Sequence, residues 1–481
     1  MSPLSTVVRP EVAVRPSEVL RWGPVLVLLG GVFMVVLDAF IVNVAIPQLQ
    51  QDLGASPAAV EWVVAGYALA FGCGLIIAGR LGDIFGRRRM FGLGMALFTL
   101  ASLACGVAPS AGVLVATRIA QGLAAALLSP QVLSTLSTQF AGRARLRALN
   151  AYGVTMGIAA VLGQLIGGLL IVSDAFGLGW RTCFLINVPV GLVTLVLLPR
   201  LVDESRAPVR PGLDLVGMGL VAATGVAVVL PLIDGRAHGW PLWAWLSLAA
   251  AVPLVGGLIA HQRRLAARGG TPLFAAALFR ERAFTAGLVV QAAFWAGQAS
   301  FFLVLALYLQ VGRGLTALES GEVFVAVGVG YLVTSTVARP VAARLGRQVI
   351  ALGALLRVAG LALLVVTVHS VGLTGSLWWL VPALAIDGAG MGFAIAPLAA
   401  VVLSRVTPQH AGAAAGMLST GSQVAGAVGV AVIGVIFFGT VESRGYVPAF
   451  LAGLAFLIAL LATAAGLAQL LPGRGHDPGG H

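Results

Sequence analysis

Four charged side chains, Asp38, Arg118, Arg357 and Asp387, stand inside long apolar runs of this chain. Placing such a residue at the centre of a membrane costs about 2.5–3.5 kcal/mol on insertion scales, so each is a candidate for work. A desolvated carboxyl can pass between neutral and charged forms, which makes Asp38 and Asp387 candidate proton carriers. Arginine keeps its proton, so Arg118 would act by holding a nearby acid ionised or by bonding a carbonyl. The structural alternatives are a permanent Asp38–arginine pair, a fixed Asp387–Arg357 pair, and Arg118 as a staple between helices. Glu61, Asp214, Glu322 and Arg339 lie near the ends of apolar runs, where charge can reach the interface.

A second concentration of chemistry is the run Gly79–Arg89, GRLGDIFGRRR, with four arginines, one aspartate and three glycines in eleven residues. A short arginine-rich connection between apolar spans stays on the cytoplasmic side. Asp83, a lone carboxylate among cations, is placed to bridge arginines or to accept from a helix N-terminus. Further along, Phe294, Gln298 and Phe301 recur at i, i+4 and i+7 on one helical face, with Trp295 and Phe302 on a neighbouring stripe. The six histidines are scattered, no HExxH, nucleophile or phosphate-loop motif occurs, and Cys73, Cys105 and Cys183 lack paired spacing. Neither an enzyme, nor ATP, nor a metal or cofactor is implied.

The elements that must position these residues are membrane helices. At 481 residues, 59% hydrophobic and 10% charged, the chain has too little polar surface for a soluble exterior. Its net charge of +12 resides in arginines between apolar spans, which suits orientation and anionic lipid and not nucleic acid. No lysine is present, a bias associated with GC-rich coding and hence with a bacterium. Segments of about 20 apolar residues predict fourteen spans: 24–46, 59–79, 90–108, 112–134, 149–172, 182–200, 214–232, 243–261, 284–309, 321–342, 348–369, 378–402, 411–440 and 447–471. One set of loops holds only Arg181, Arg236, Arg313 and Arg444, while the other holds Arg80, Arg87–Arg89, Arg143, Arg145, Arg147, Arg200, Arg206, Arg210 and Arg263. That bias puts both termini in the cytoplasm. Charged, proline-bearing connections at Arg200–Pro211 and Gln262–Arg282 divide the chain. The expected units are a tail 1–23, a six-helix bundle 24–200, two inserted helices with their loops 201–283, a second six-helix bundle 284–471 and a tail 472–481. A faint repeat, RPVAARLGR at Arg339–Arg347, aligns Gly346 and Arg347 with Gly86 and Arg87 and has Ala343 where Asp83 would stand.

The basic run resembles the loop signature GxLaDrxGrrxxl of major facilitator transporters, matched at Gly79, Leu81, Asp83, Gly86, Arg87 and Arg88. LDAFIVNVAIP, Leu37–Pro47, is similar to the first-helix signature of the fourteen-helix drug:proton antiporters, with Phe40 replacing a threonine and Asn43 retained. Leu114–Gln131 resembles their fourth helix, with Arg118, Gln121 and Gly122 in register. GIAAVLGQLIGG, from Gly157, resembles the antiporter helix motif at Gly163, Gly167 and Gly168, but Gln164 occupies the usual proline position. Glycines at this spacing also serve close helix packing.

The resemblance implies an all-α major facilitator fold of fourteen transmembrane helices and a proton-driven exporter of hydrophobic small molecules, cationic ones included. Asp38, Asp387 and Arg118 would couple protons. Gly79, Asp83, Gly86, Arg87 and Arg88 would form a conformational gate. Phe40, Asn43, Gln121, Phe294, Gln298 and Phe301 would line a mid-membrane cavity built from the first, fourth, fifth and ninth spans or their neighbours. The expected partners are a small-molecule substrate, protons and lipid, with one chain holding the whole pathway in a bacterial plasma membrane. A metabolite exporter, an importer or an uncoupled facilitator of the same family remains the alternative.

Overall fold

A computed structural model describes residues 19–207, 212–274, 278–279, 281–403, 406 and 411–471. Most of tail 1–23, all of tail 472–481 and Arg210 lie outside the described residues. Among the described residues, fourteen helices are long and apolar enough to cross a membrane. They are α1 (Trp22–Leu53), α2 (Pro57–Phe85), α3 (Arg87–Gly106), α4 (Ala111–Gln139), α5 (Gly142–Ser173), α6 (Gly179–Leu201) and α7 (Leu215–Ala237). There follow α8 (Leu242–Ala267), α9 (Arg282–Gly312), α10 (Ala317–Leu345), α11 (Gln348–Val371), α12 (Leu377–Leu403), α13 (Ala414–Arg444) and α14 (Tyr446–Leu470).

Local chemistry explains several helix starts. Ser56 caps α2 by accepting from the Ala59 N–H, with Pro57 opening the first turn. Thr316 and Glu319 form a reciprocal capping box at α10. Several helices outrun their apolar cores. Arg143, Arg145 and Arg147, expected in a loop, stand exposed on the first turns of α5, because arginine is a good helix former once its head is in water.

The first six and last six helices pack alike. In the first set α4 lies against α2 and α3, α1 against α5, and α6 against α3 and α1; in the second, α12 lies against α10 and α11, α9 against α13, and α14 against α11 and α9. The two sets meet along a seam of two pairs, α2 with α13 and α5 with α10. The helix pair α7–α8 docks through α7 onto α2 and α13. Only 6% of the apolar stretch of α8 is buried against protein, compared with 67% for α1 and α2, so α8 presents its surface to lipid.

Glycines show how the seam closes. A Cβ on Gly168 would lie 2.5 Å from the Ala317 carbonyl oxygen, and one on Gly321 would lie 2.7 Å from that of Gln164. At this end of α5 and α10 the two backbones touch. Toward the other end Gly157 meets the Tyr331 ring, and Gly153, Gly79 and Gly416 face open space. The seam is therefore shut on the face holding the α1–α2 turn and parted toward the face holding the basic hairpin.

Candidate functional site

Asp38 is fully buried in the first bundle and accepts from three side chains. Arg118 Nη1 donates to its Oδ2 at 2.5 Å, while Gln121 Nε2 and Asn187 Nδ2 each donate to Oδ1 at 2.9 Å. Arg118 also donates to Gln121 Oε1 (2.6 Å) and, through Nε, to the Val63 carbonyl (3.1 Å), and it lies 4.1 Å over the Tyr67 ring. Ser102 accepts from Gln121 and Asn187. Helices α1, α2, α3, α4 and α6 thus converge on one carboxylate. Ser102 carried no spacing signal, and Asn187 lies in WRTCFLINVPVG, Trp180–Gly191, which resembles the start of the sixth antiporter helix but did not mark Asn187 as a partner of Asp38.

The second bundle holds a sparser pair. Arg357 Nε donates to Asp387 Oδ1 at 2.9 Å, both residues being buried, while Asp387 Oδ2 and both Arg357 terminal nitrogens have no partner. Gly360 and Gly390 make room: a Cβ on either would lie 2.6 Å from an atom of Asp387 or Arg357. Glu61, expected to reach the interface, is instead fully buried. It faces Arg236 of α7 at 3.7 Å and fills the space left by the absent side chain of Gly434 on α13. Beside it, Trp62 donates to Asp234 at 2.9 Å, and Arg236 pairs with Glu442 at 3.0 Å.

A cavity of about 720 Å³, its mouth included, lies between the bundles. Its walls come from α1 (Val36, Phe40), α5, α9 (Trp295, Gln298, Phe302), α10 (Phe324, Tyr331) and α12 (Met391, Ile395). Phe40 meets Phe302 edge-on at 5.3 Å, and Phe302 packs on Phe324 at the same separation. Of the six residues expected along a cavity, Phe40 and Gln298 line this one, and the other four lie elsewhere. Gln121 belongs to the Asp38 network, and Asn43 donates to the Phe40 carbonyl within α1. Phe294 is turned toward Arg357, and Phe301 is buried in the core. The α9 stripe facing the cavity is Trp295–Gln298–Phe302, which shares Gln298 with the expected stripe and is turned from it by roughly 65°. Helix α4 contributes no lining; α10 and α12 do.

Gln164 lines the cavity as well, buried, with neither amide atom hydrogen-bonded. An amide buried without a partner costs on the order of 1–3 kcal/mol. Without a proline, α5 runs as one continuous helix. Its glycines serve two faces. Gly163 and Gly167 admit Leu37, Phe40 and Ile41 of α1, whereas Gly157 and Gly168 admit α10.

At the basic hairpin Asp83 pairs with Arg87 at 2.9 Å, and Arg87 reaches Thr138 of α4. The first turn of α3 is held by Glu204, which accepts from the backbone N–H groups of Arg88 and Arg89, and Arg88 donates to the Val202 carbonyl. Gly86 turns the chain at φ 108°, and a Cβ there would lie 2.6 Å from the Glu204 carboxyl carbon. Arg80 donates to the carbonyls of Gly212, Thr271 and Pro272, in the segments before α7 and after α8.

Residues 28–321 and 287–476 match the family profile of the Major Facilitator Superfamily. The chain belongs to that superfamily. This facilitator protein is 39% identical over 435 residues to a probable actinorhodin transporter of Streptomyces coelicolor, covering 89% of this chain and 74% of that one. It is 34% identical to the puromycin resistance protein pur8 of Streptomyces alboniger (94% and 91% covered) and 37% identical to the cephamycin export protein CmcT of Amycolatopsis lactamdurans (83% and 82%). Among solved structures, a D-xylose-proton symporter superposes with a TM-score of 0.66 at 15% identity, over 94% of this chain and 98% of that one, a likeness of fold alone. The second hairpin repeats part of the first. Gly346 again turns at positive φ, and Arg347, aligned with Arg87, donates to the Leu471 carbonyl after α14, a bond made in the first hairpin by the next residue, Arg88, to Val202 after α6.

Proposed function

We propose that this protein is a secondary active exporter of hydrophobic, antibiotic-like small molecules, driven by proton antiport through alternating access. The observation that carries the reading is the two-faced α1. Val36 and Phe40 face the cavity between the bundles, while Asp38, about half a turn away, faces the buried network. Relatives that are named for antibiotic transport, resistance or export support the substrate class.

With the arginine-rich face in the cytoplasm, the conformation is open to the inside. Substrate enters from the cytoplasm or inner leaflet and rests against the aromatic wall. As the seam reverses, protonation of Asp38 removes the charge that Arg118, Gln121 and Asn187 hold, freeing α1 from α4 and α6. A shift of α1 moves Phe40 in the cavity wall, which links proton and substrate without contact between them. Asp387, with one oxygen unpaired, is the reserve site. The chain works as a monomer in the bacterial plasma membrane, with lipid around it and both termini inside.

Substrate-induced proton release from detergent-solubilised protein is the test. Asp38→Asn is expected to abolish release and uphill export while retaining substrate binding. Undiminished release would remove Asp38 from the role, and loss in Asp387→Asn alone would transfer it. Export that survives an uncoupler would favour a facilitator.

A further inference from the structure

The cavity walls hold a pattern that resemblance to the antiporters did not anticipate. Among the described residues, no charged side chain lines it. The buried acids of both bundles are already faced by arginines, Asp38 by Arg118, Glu61 by Arg236 and Asp387 by Arg357, and none lines the cavity. A cation entering it would shed its hydration with no carboxylate to receive it, only the weaker attraction of ring faces. What the walls offer is aromatic and aliphatic surface, the Tyr331 phenol and two primary amides. Gln164, 1% exposed, has both amide atoms free, and Gln298, 5% exposed, has its carbonyl oxygen free. They come from opposite bundles, α5 and α9.

The geometry points to an uncharged, ring-bearing substrate with carbonyl and hydroxyl groups, recognised by the amides of Gln164 and Gln298. This rests on the reading that the cavity holds the exported molecule. Each amide has N–H groups to donate to a ring carbonyl and an oxygen to accept from a ring hydroxyl, so one such edge can satisfy both ends of Gln164. Phe40, Trp295 and Phe302 supply aromatic surface for the rings to pack against. Proline at position 164, as in the antiporter motif, would offer no side-chain hydrogen bond. Gln164 therefore converts a structural position into a recognition group, and its unpaired atoms are what a bound carbonyl edge would complete. Sites built this way discriminate strongly, because a ligand lacking the matching groups leaves the buried amides unpaired.

The test is equilibrium binding to the full-length protein in detergent, read by tryptophan fluorescence, with 1,8-dihydroxyanthraquinone and the permanent cation N-methylacridinium as three-ring probes. Wild type is expected to bind the quinone about 10-fold or more tightly than the cation. Gln164→Met and Gln298→Met are each expected to weaken quinone binding about 10-fold, the loss expected for a hydrogen bond to a buried amide, with little change for the cation. Gln164→Glu, of the same shape, is expected to reverse the preference. Cation binding equal to or tighter than the quinone's in wild type would overturn the proposal. So would quinone binding unchanged in the Met variants, or absent from wild type. Gln298 lies in the other bundle, so its variant reads the same expectation even if Gln164→Met fails to fold. The assay needs no proton gradient. Amide-dependent binding without proton-driven export would strike the exporter reading alone; export with amide-independent binding would strike this one alone.

Discussion

Two glycines of one motif differ in what they do for the folded chain. Gly86 sits at φ 108° against Glu204, while Gly79 lies within α2 with nothing within 4 Å of its missing Cβ. Gly86→Ala combines a positive-φ strain of order 1–3 kcal/mol with displacement of the carboxylate that holds α3. It is expected to lower thermal stability in detergent measurably. Gly79→Ala is expected to leave stability unchanged or raise it by about 0.5–1 kcal/mol, since alanine suits a helix interior better. A transport defect in a stable Gly79→Ala protein would assign that glycine to another state of the cycle. Asp83→Asn is expected to insert normally but to exchange between states more slowly, because its bond to Arg87 spans the hairpin of this conformation. Wild-type transport rates in that variant would reduce the aspartate to an orientation feature.

At the level of helices, the inserted pair depends on Asp214. Its carboxylate caps α7 through the Gly217 N–H at 2.8 Å and joins α8 through His261 (2.7 Å) and Gln262 (2.6 Å). Burial works against its charge, but the Gly217 N–H, His261 and Gln262 together hold its pKa below the ordinary carboxylate value. A depressed carboxylate contributes stability that is complete above its unfolded pKa, near 3.9, and lost as pH falls through the folded value. The α7–α8 contact is expected to hold at neutral pH and loosen only in strong acid. Asp214→Asn is expected to lose that acid dependence and to speed hydrogen exchange at the start of α7 at pH 7; an unchanged exchange rate would show the cap to be dispensable.

The existence of these helices was legible in the sequence because a run of about twenty apolar residues has few alternatives. Their rotation was not. Phe294–Phe301 and Trp295–Phe302 are stripes of equal character, and packing against α13 and α14 decides which faces the cavity. Likewise Asp38 and Arg118 declared themselves by charge, whereas Asn187 joins them only through the fold. Glu61 looked interfacial because a span end gives no hint that α7 and α13 will cover it.

For the molecule as a whole, the assigned sidedness makes a plain expectation. Single cysteines at residues 143–147, introduced into a variant lacking Cys73, Cys105 and Cys183, should resist an impermeant thiol reagent in intact cells. Labelling from outside would overturn the orientation and, with it, the direction of transport. Arg80 carries a further consequence for how the halves divide. One guanidinium in the first bundle grips the chain both before α7 and after α8, and Trp62–Asp234 ties α7 to α2 from within. Toward the second bundle, α7 has Arg236 paired to a Glu442 that is 70% exposed, a bond worth little. Under the proposed alternating access, eight helices are expected to turn against six, with the surface of α7 on α13 sliding between them. A disulfide cross-link between α7 and α2 is expected to leave export intact, whereas one between α7 and α13 is expected to stall it.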